Sequence, residues 1–193
     1  RKALKVADKN LPGLRELLEF AVAWKWETEI EELLWQMHNN WPKDKGVFLA
    51  LSERLTKAGN TSGLRTLFAR ASQADPDNLA IKNNLVMTSL LLDARDKASH
   101  LKAKELFTAD PANPIFVSTY AFSLYLLKQP ADALAAFAQL KSEQLIEPNV
   151  ATYYGLVLLA NGRAAEAGKF LQAARQAKLL PEETALLARA NGA

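Results

Sequence analysis

The 193-residue chain contains no cysteine. Disulfides, zinc–thiolate sites and cysteine nucleophiles are excluded together. Histidine is almost as scarce. His38 and His100 are the only two, and they fall on separate segments, which argues against a paired metal site. The chain also lacks a G-x-S-x-G elbow and a Walker loop. Asp93 and Asp96 near His100 match a catalytic trio by residue type alone, and a short inter-helix turn explains them more simply. The expectation is a chain with no catalytic residues, no cofactor and no metal.

Long hydrophobic runs are missing too. A bilayer-spanning helix needs about 20 apolar residues. The longest candidate, residues 85–92, is interrupted by Thr88 and Ser89. Alternating runs rich in Val, Ile and Thr are absent, which argues against strands. One sign of charge does not dominate: 24 basic and 21 acidic residues leave a net charge of +3, too small an excess to point to nucleic acid. No secretory signal is visible, so a soluble chain of unassigned compartment is expected. Arg1 stands where a Met would open a complete protein, which suggests a fragment of a longer one.

What the chain does have is a period. Met87, Ala121 and Gly155 recur at one constant step of thirty-four, and so do Ser99, Ala133 and Ala167. The same step relates Ala103, Phe137 and Leu171, and again Leu106, Leu140 and Ala174. Each copy carries a small or apolar residue on one helix and three such positions on the next. A single helix pair of this kind cannot bury its apolar side, whereas stacked neighbours can. The pattern predicts an all-α, right-handed superhelical solenoid of about five helix pairs, read as one domain over residues 1–193.

The copies fall at about residues 11–42, 44–77, 79–112, 113–147 and 148–181, with partial helices at 1–8 and 182–190. Predicted helices within them run over 27–39, 46–58, 62–74, 79–92, 98–109, 115–127, 131–140, 150–160 and 164–177. The first opens at Leu11, Pro12 and Gly13. Gly59 with Asn60 supplies a turn where glycine can take positive φ, and Asn161 with Gly162 lies between the two helices of the fifth copy. Pro181 followed by Glu182 and Glu183 suits a first helical turn, so the last helix is either a terminal cap or half of a further copy.

These residues resemble the tetratricopeptide repeat family. The matching positions are Tyr120, Ala121, Leu124, Ala133, Phe137 and Leu140 in the fourth copy, and Tyr154, Gly155, Leu158, Ala167, Leu171 and Ala174 in the fifth. The second copy offers Leu51, Ser52, Leu55, Leu64, Phe68, Ala71 and Pro76. The family's early Trp is missing, and its first-helix glycine survives only as Gly155. The resemblance implies a non-catalytic protein–protein interaction module, a scaffold or adaptor, that takes a peptide or helix in a concave groove built by first helices. Carried over, it implies a groove of Asn84, Thr88, Ser118, Phe122, Tyr125, Thr152, Tyr153 and Leu156, with a place in the inter-repeat core as the alternative for Phe122, Tyr125 and Tyr153. Toward the N-terminus it implies a charged stretch with Arg15, Glu16, Glu19, Leu49, Ala50, Glu53 and Lys57.

No Lys or Arg stands among the groove positions of the last three copies, so a chain-terminal carboxylate would find no charged partner there. An apolar or aromatic protein or peptide partner is expected instead of an acidic C-terminus, and self-association is open. Two alternatives stay open: an accessory domain of a larger enzyme, and an RNA-binding array. The second rests on a likeness of Pro148 to Tyr153, continued by Asn161, Gly162 and Arg163, to a pentatricopeptide repeat. Tyr154 stands where that family carries a small polar base-reading residue. Trp24, Trp26, Trp35 and Trp41 lie close together in the first copy and read as packing at its turn and against the second copy, with a partner surface as the alternative. Arg95, Lys97, His100, Lys102 and Lys104 read as a solvated outer face, with phosphate contact as the alternative.

Overall fold

Asn and Asp side chains punctuate the helices. In the computed structural model, which describes residues 10–191, Asn10, Asp44, Asn60, Asn78, Asp96 and Asn113 each stand at an N-cap and accept a backbone N–H of the first turn. Each such cap typically adds about 1 kcal/mol. In chain order the helices are α1 (Leu11–Ala23), α2 (Glu27–Asn40), which lacks such a cap, α3 (Lys45–Lys57), α4 (Thr61–Ala74), α5 (Leu79–Leu92) and α6 (Lys97–Ala109). There follow α7 (Pro114–Leu126), α8 (Pro130–Phe137), a single turn α9 (Ser142–Leu145), α10 (Pro148–Ala160), α11 (Ala164–Ala174) and α12 (Pro181–Asn191). The described residues contain no strand. The expected helix at 1–8 lies outside them.

The period reappears in the backbone. Four of the five turns inside helix pairs hold one residue in the left-handed region: Lys25 (φ 56°), Gly59 (62°), Lys128 (63°) and Gly162 (72°). Lys25 and Gly59 stand one full period apart, and so do Lys128 and Gly162. Glycine takes this conformation freely, whereas lysine does so against the clash of its Cβ.

The chain divides into two compact units, one up to Asp77 and one from Asn78. In the first, α1 packs on α2, α2 on α3 and α3 on α4. Leu14, Leu33, Leu34, Met37, Leu51, Leu55, Leu67 and Phe68 form its buried interior. In the second, each first helix (α5, α7, α10) packs on its own second helix (α6, α8, α11). Successive first helices also touch, α5 on α7 and α7 on α10. This is the stacking of helix pairs that the period predicts. Every residue in the four periodic columns is buried except Met87 and Leu171, which are half-buried. The columns are therefore the contacts between helices. Gly155 shows why one of them stays small: a Cβ there would stand 2.7 Å from Leu171 Cδ2.

Two helices differ from expectation. The second helix of the fourth pair stops at Phe137 rather than 140, and α9 adds a turn before Pro148. The second helix of the fifth pair ends at Ala174, short of the expected 177. Neither segment carries an Asn, Gly or Pro signal at the point where it ends.

Candidate functional site

α7 and α10 are apolar almost all round, and each buries eight of its thirteen residues. A helix with that composition needs partners on most of its circumference. Flanking helices supply several of them. For α10, α12 is a further partner.

α12 does not take the place of a sixth first helix at the end of the stack. It packs on α10 and also reaches α5, two copies back, so it bridges the helices that flank α7. Its Leu186, Leu187 and Ala190 rest on the core cluster that contains Phe122, Tyr153 and Leu156. With Glu183 they occupy positions i, i+3, i+4 and i+7, a single helical strip. At its start, Glu183 accepts the Leu180 N–H at 2.7 Å through one carboxylate oxygen. The other oxygen accepts the hydroxyl of Tyr153. Burial pushes the Glu183 carboxyl above the usual carboxylate range, against the lowering effect of these two hydrogen bonds. Burial, and then the neighbouring Glu183 charge, push the Tyr153 phenol well above its ordinary value. Tyr153 therefore stays a neutral donor at physiological pH.

The eight residues expected to line an open groove are distributed unevenly. Asn84 is exposed and Tyr125 is half-buried. Thr88, Ser118, Phe122, Thr152, Tyr153 and Leu156 are buried, so the expectation of an open surface is corrected at these six. The hydroxyls of Thr88, Ser118 and Thr152 each donate to the carbonyl four residues back in their own helix, at 2.8 Å in all three cases. This bond closes the hydroxyl on its own helix and frees no donor for a ligand. Phe122 lies 5.0 Å from Tyr153 and 6.4 Å from Tyr125, centroid to centroid. The aromatic residues thus do gather on one face, but that face is covered. Glu183, Leu186, Leu187 and Ala190 are the members sequence reasoning missed. Their i, i+3, i+4, i+7 spacing was the available signal.

Other candidates are committed to structure. Asp96 accepts Ala98 N–H, Ser99 N–H and the Ser99 hydroxyl, which holds its carboxyl below the usual range, the Ser99 hydroxyl contributing most. The His100 ring spans two helix pairs, with Nδ1 2.7 Å from Ser123 Oγ and Nε2 3.0 Å from the Ala94 carbonyl. Nε2 therefore carries the proton and donates to Ala94, and Nδ1 accepts from Ser123. Tyr154 sits between Phe137 (5.0 Å) and Phe170 (4.6 Å), a packing role and not a base-reading one. Arg95, Lys97, Lys102 and Lys104 are exposed, as expected of a solvated face.

No protein-family model and no curated protein matches the chain. Among solved structures it is similar to MamA AMB-1, at 20% identity over 84% of this chain and 96% of that one, with a TM-score of 0.49. It is also similar to MamA MSR-1, at 18% identity over 91% and 95% of the two chains, with a TM-score of 0.48.

In the first unit the charged stretch is open: Arg15, Glu16, Glu19, Leu49, Ala50, Glu53 and Lys57 are all exposed. A shallow depression beside it is lined by Leu18, Val22, Ile30, Leu34 and Ala50, with Arg54 at its edge. Arg54 donates to both the carbonyl and the carboxylate of Glu27, each at 2.6 Å. The tryptophans divide. Trp35 and Trp41 are half-buried, and the Arg70 guanidinium lies 5.3 Å over the Trp35 ring. Trp24 and Trp26 are 68% and 52% exposed, which corrects the expectation of packing for these two. They flank Lys25, whose left-handed backbone reverses the chain between α1 and α2 and carries both indoles outward. Among the described residues, no cluster of His, Asp and Glu is placed to hold a metal ion, and no helix is long and apolar enough to cross a membrane.

Proposed function

We propose that the second unit is a non-catalytic recognition module whose α5, α7 and α10 receive an amphipathic helix of a protein partner. The observation that carries this reading is the seat of α12. A helix already lies on that face, with its apolar strip against the core cluster and half-buried Glu183 at Tyr153. Helix-in-groove recognition uses this i, i+3, i+4, i+7 geometry. The partner's carboxylate would meet a phenol and not a Lys or Arg, in keeping with an apolar or aromatic ligand. The commitment of Asp96 and His100 to a cap and to an inter-pair bridge leaves the nearest catalytic look-alike without free groups.

The test is selection from a displayed library of amphipathic helical peptides, using the full chain with Leu186→Asp and Leu187→Asp to expose the face. Helical binders should emerge, and their affinity should fall at least tenfold with Tyr125→Ala or Asn84→Arg, the two accessible residues of the expected groove. If no helix is selected, or if binders ignore both substitutions, the reading fails.

A further inference from the structure

Resting on that reading, we infer that α12 is the face's own tethered ligand, and that the partner is a helix presenting a carboxylate, leucines three and four residues later and a small residue seven later. Three observations carry this. First, Leu186, Leu187 and Ala190 rest on the core cluster and Glu183 bonds Tyr153, and the four share one strip of α12. A competitor must present that strip to make the same contacts.

Second, α12 reaches back to α5, although the end of the stack at α10 and α11 lies next to it in sequence. Only a face that prefers such a helix draws it there. Third, α12 is held less firmly than the helices it covers. Among its described side chains none is fully buried, whereas α7 and α10 bury eight each. Leu186, Leu187 and Ala190 are half-buried, and the latch between Tyr153 and Glu183 is a polar tie to α10. Elements with few fully buried contacts open at low cost.

The tether sets how strongly α12 competes. Residues 175–180 form a short connection, and short linkers give effective concentrations on the order of 1 mM. If α12 binds the face with an intrinsic Kd of about 10 μM, any free helix would then bind the intact chain about 100-fold more weakly than the open face. The partner must be abundant or tighter than α12, or α12 must first be released.

The experiment measures fluorescence anisotropy of a labelled peptide of residues 178–191 against three full-length chains: the natural sequence, Leu186→Asp/Leu187→Asp, and Tyr153→Phe. Circular dichroism confirms that each is helical. The double variant should bind the peptide one to one and at least tenfold tighter than the natural chain. Tyr153→Phe, a milder opening that also removes the latch from the face, should fall between them. A peptide carrying the two aspartates should not bind. Equal binding to natural and opened chains, or no binding to a folded opened chain, overturns the proposal. So does a stable dimer of the natural chain that free peptide dissolves, because α12 would then serve a second copy. The library selection separates the two ideas: helices that bind natural and opened chains alike leave the face as a recognition site and remove the gate, whereas an opened chain that selects nothing removes both.

Discussion

The hydroxyl of Tyr153 donates to the carboxylate of Glu183, well beyond it along the chain, and so ties the last helix to α10. Hydrogen bonds to charged groups are worth about 1.5–3 kcal/mol when removed, less where solvent reaches the acceptor, as it does at half-buried Glu183. Tyr153→Phe should loosen α12 by about 1 kcal/mol while leaving the ring packed on Phe122. Amide exchange in residues 184–190 should quicken about fivefold, with α10 unchanged. Unaltered exchange in that segment would show that the bond does not hold the helix.

His38 is fully buried between Trp35 and Phe48, and neither ring nitrogen meets a protein hydrogen-bond partner. Burial, reinforced by the Arg70 charge, lowers its pKa below the ordinary 6.5. The unfolded chain therefore binds the proton more readily than the folded one. The stability of the first unit should be fully present above pH 6.5 and should decline as pH falls from 6.5 toward the lowered value. All four tryptophans lie in this unit, so Trp fluorescence reports its denaturant midpoint alone. The midpoint should fall between about pH 7.5 and about pH 5, and His38→Phe should remove the part of that slope which this ring supplies.

Lys128 and Gly162 hold the same left-handed turn, one period apart, at different cost. Lys128→Gly should stabilise the second unit by about 0.5–1 kcal/mol, because the Cβ clash it relieves outweighs the added entropy of the unfolded chain. Gly162→Ala should cost about 1 kcal/mol. A Cβ there meets nothing within 4 Å, so the cost is conformational and not steric crowding. Denaturant melts followed by circular dichroism would reverse this pair of signs if the turns were not held at positive φ.

Phe122 is 1% exposed and lies against Tyr153. Phe122→Ala should cost about 3–5 kcal/mol, the range for emptying a large aromatic site. A loss under about 1 kcal/mol in urea titration would mean that the ring is not part of the interior.

Much of the fold was legible because the signals are local. The helical apolar rhythm and turn residues such as Gly59 with Asn60 act within one or two turns of chain. They placed α2, α4 and α5 within a residue of where they lie, and ten of the twelve positions in the periodic columns are buried. The early ends of α8 and α11 were not legible, since neither carries a stop signal.

The face of a helix is a different matter. Phe122, Tyr153 and Leu156 sit on helices that are apolar almost all round, and such helices carry no amphipathic stripe to say which side meets solvent. Sequence alone therefore determined the period, the helix pairs and the identity of the aromatic cluster. Tertiary structure decided that the cluster is covered, because the covering helix begins at Pro181 and reaches back to α5, which ends at Leu92. Local rhythm sets where a helix starts and stops; only the free energy of burying one surface against another sets where it comes to rest.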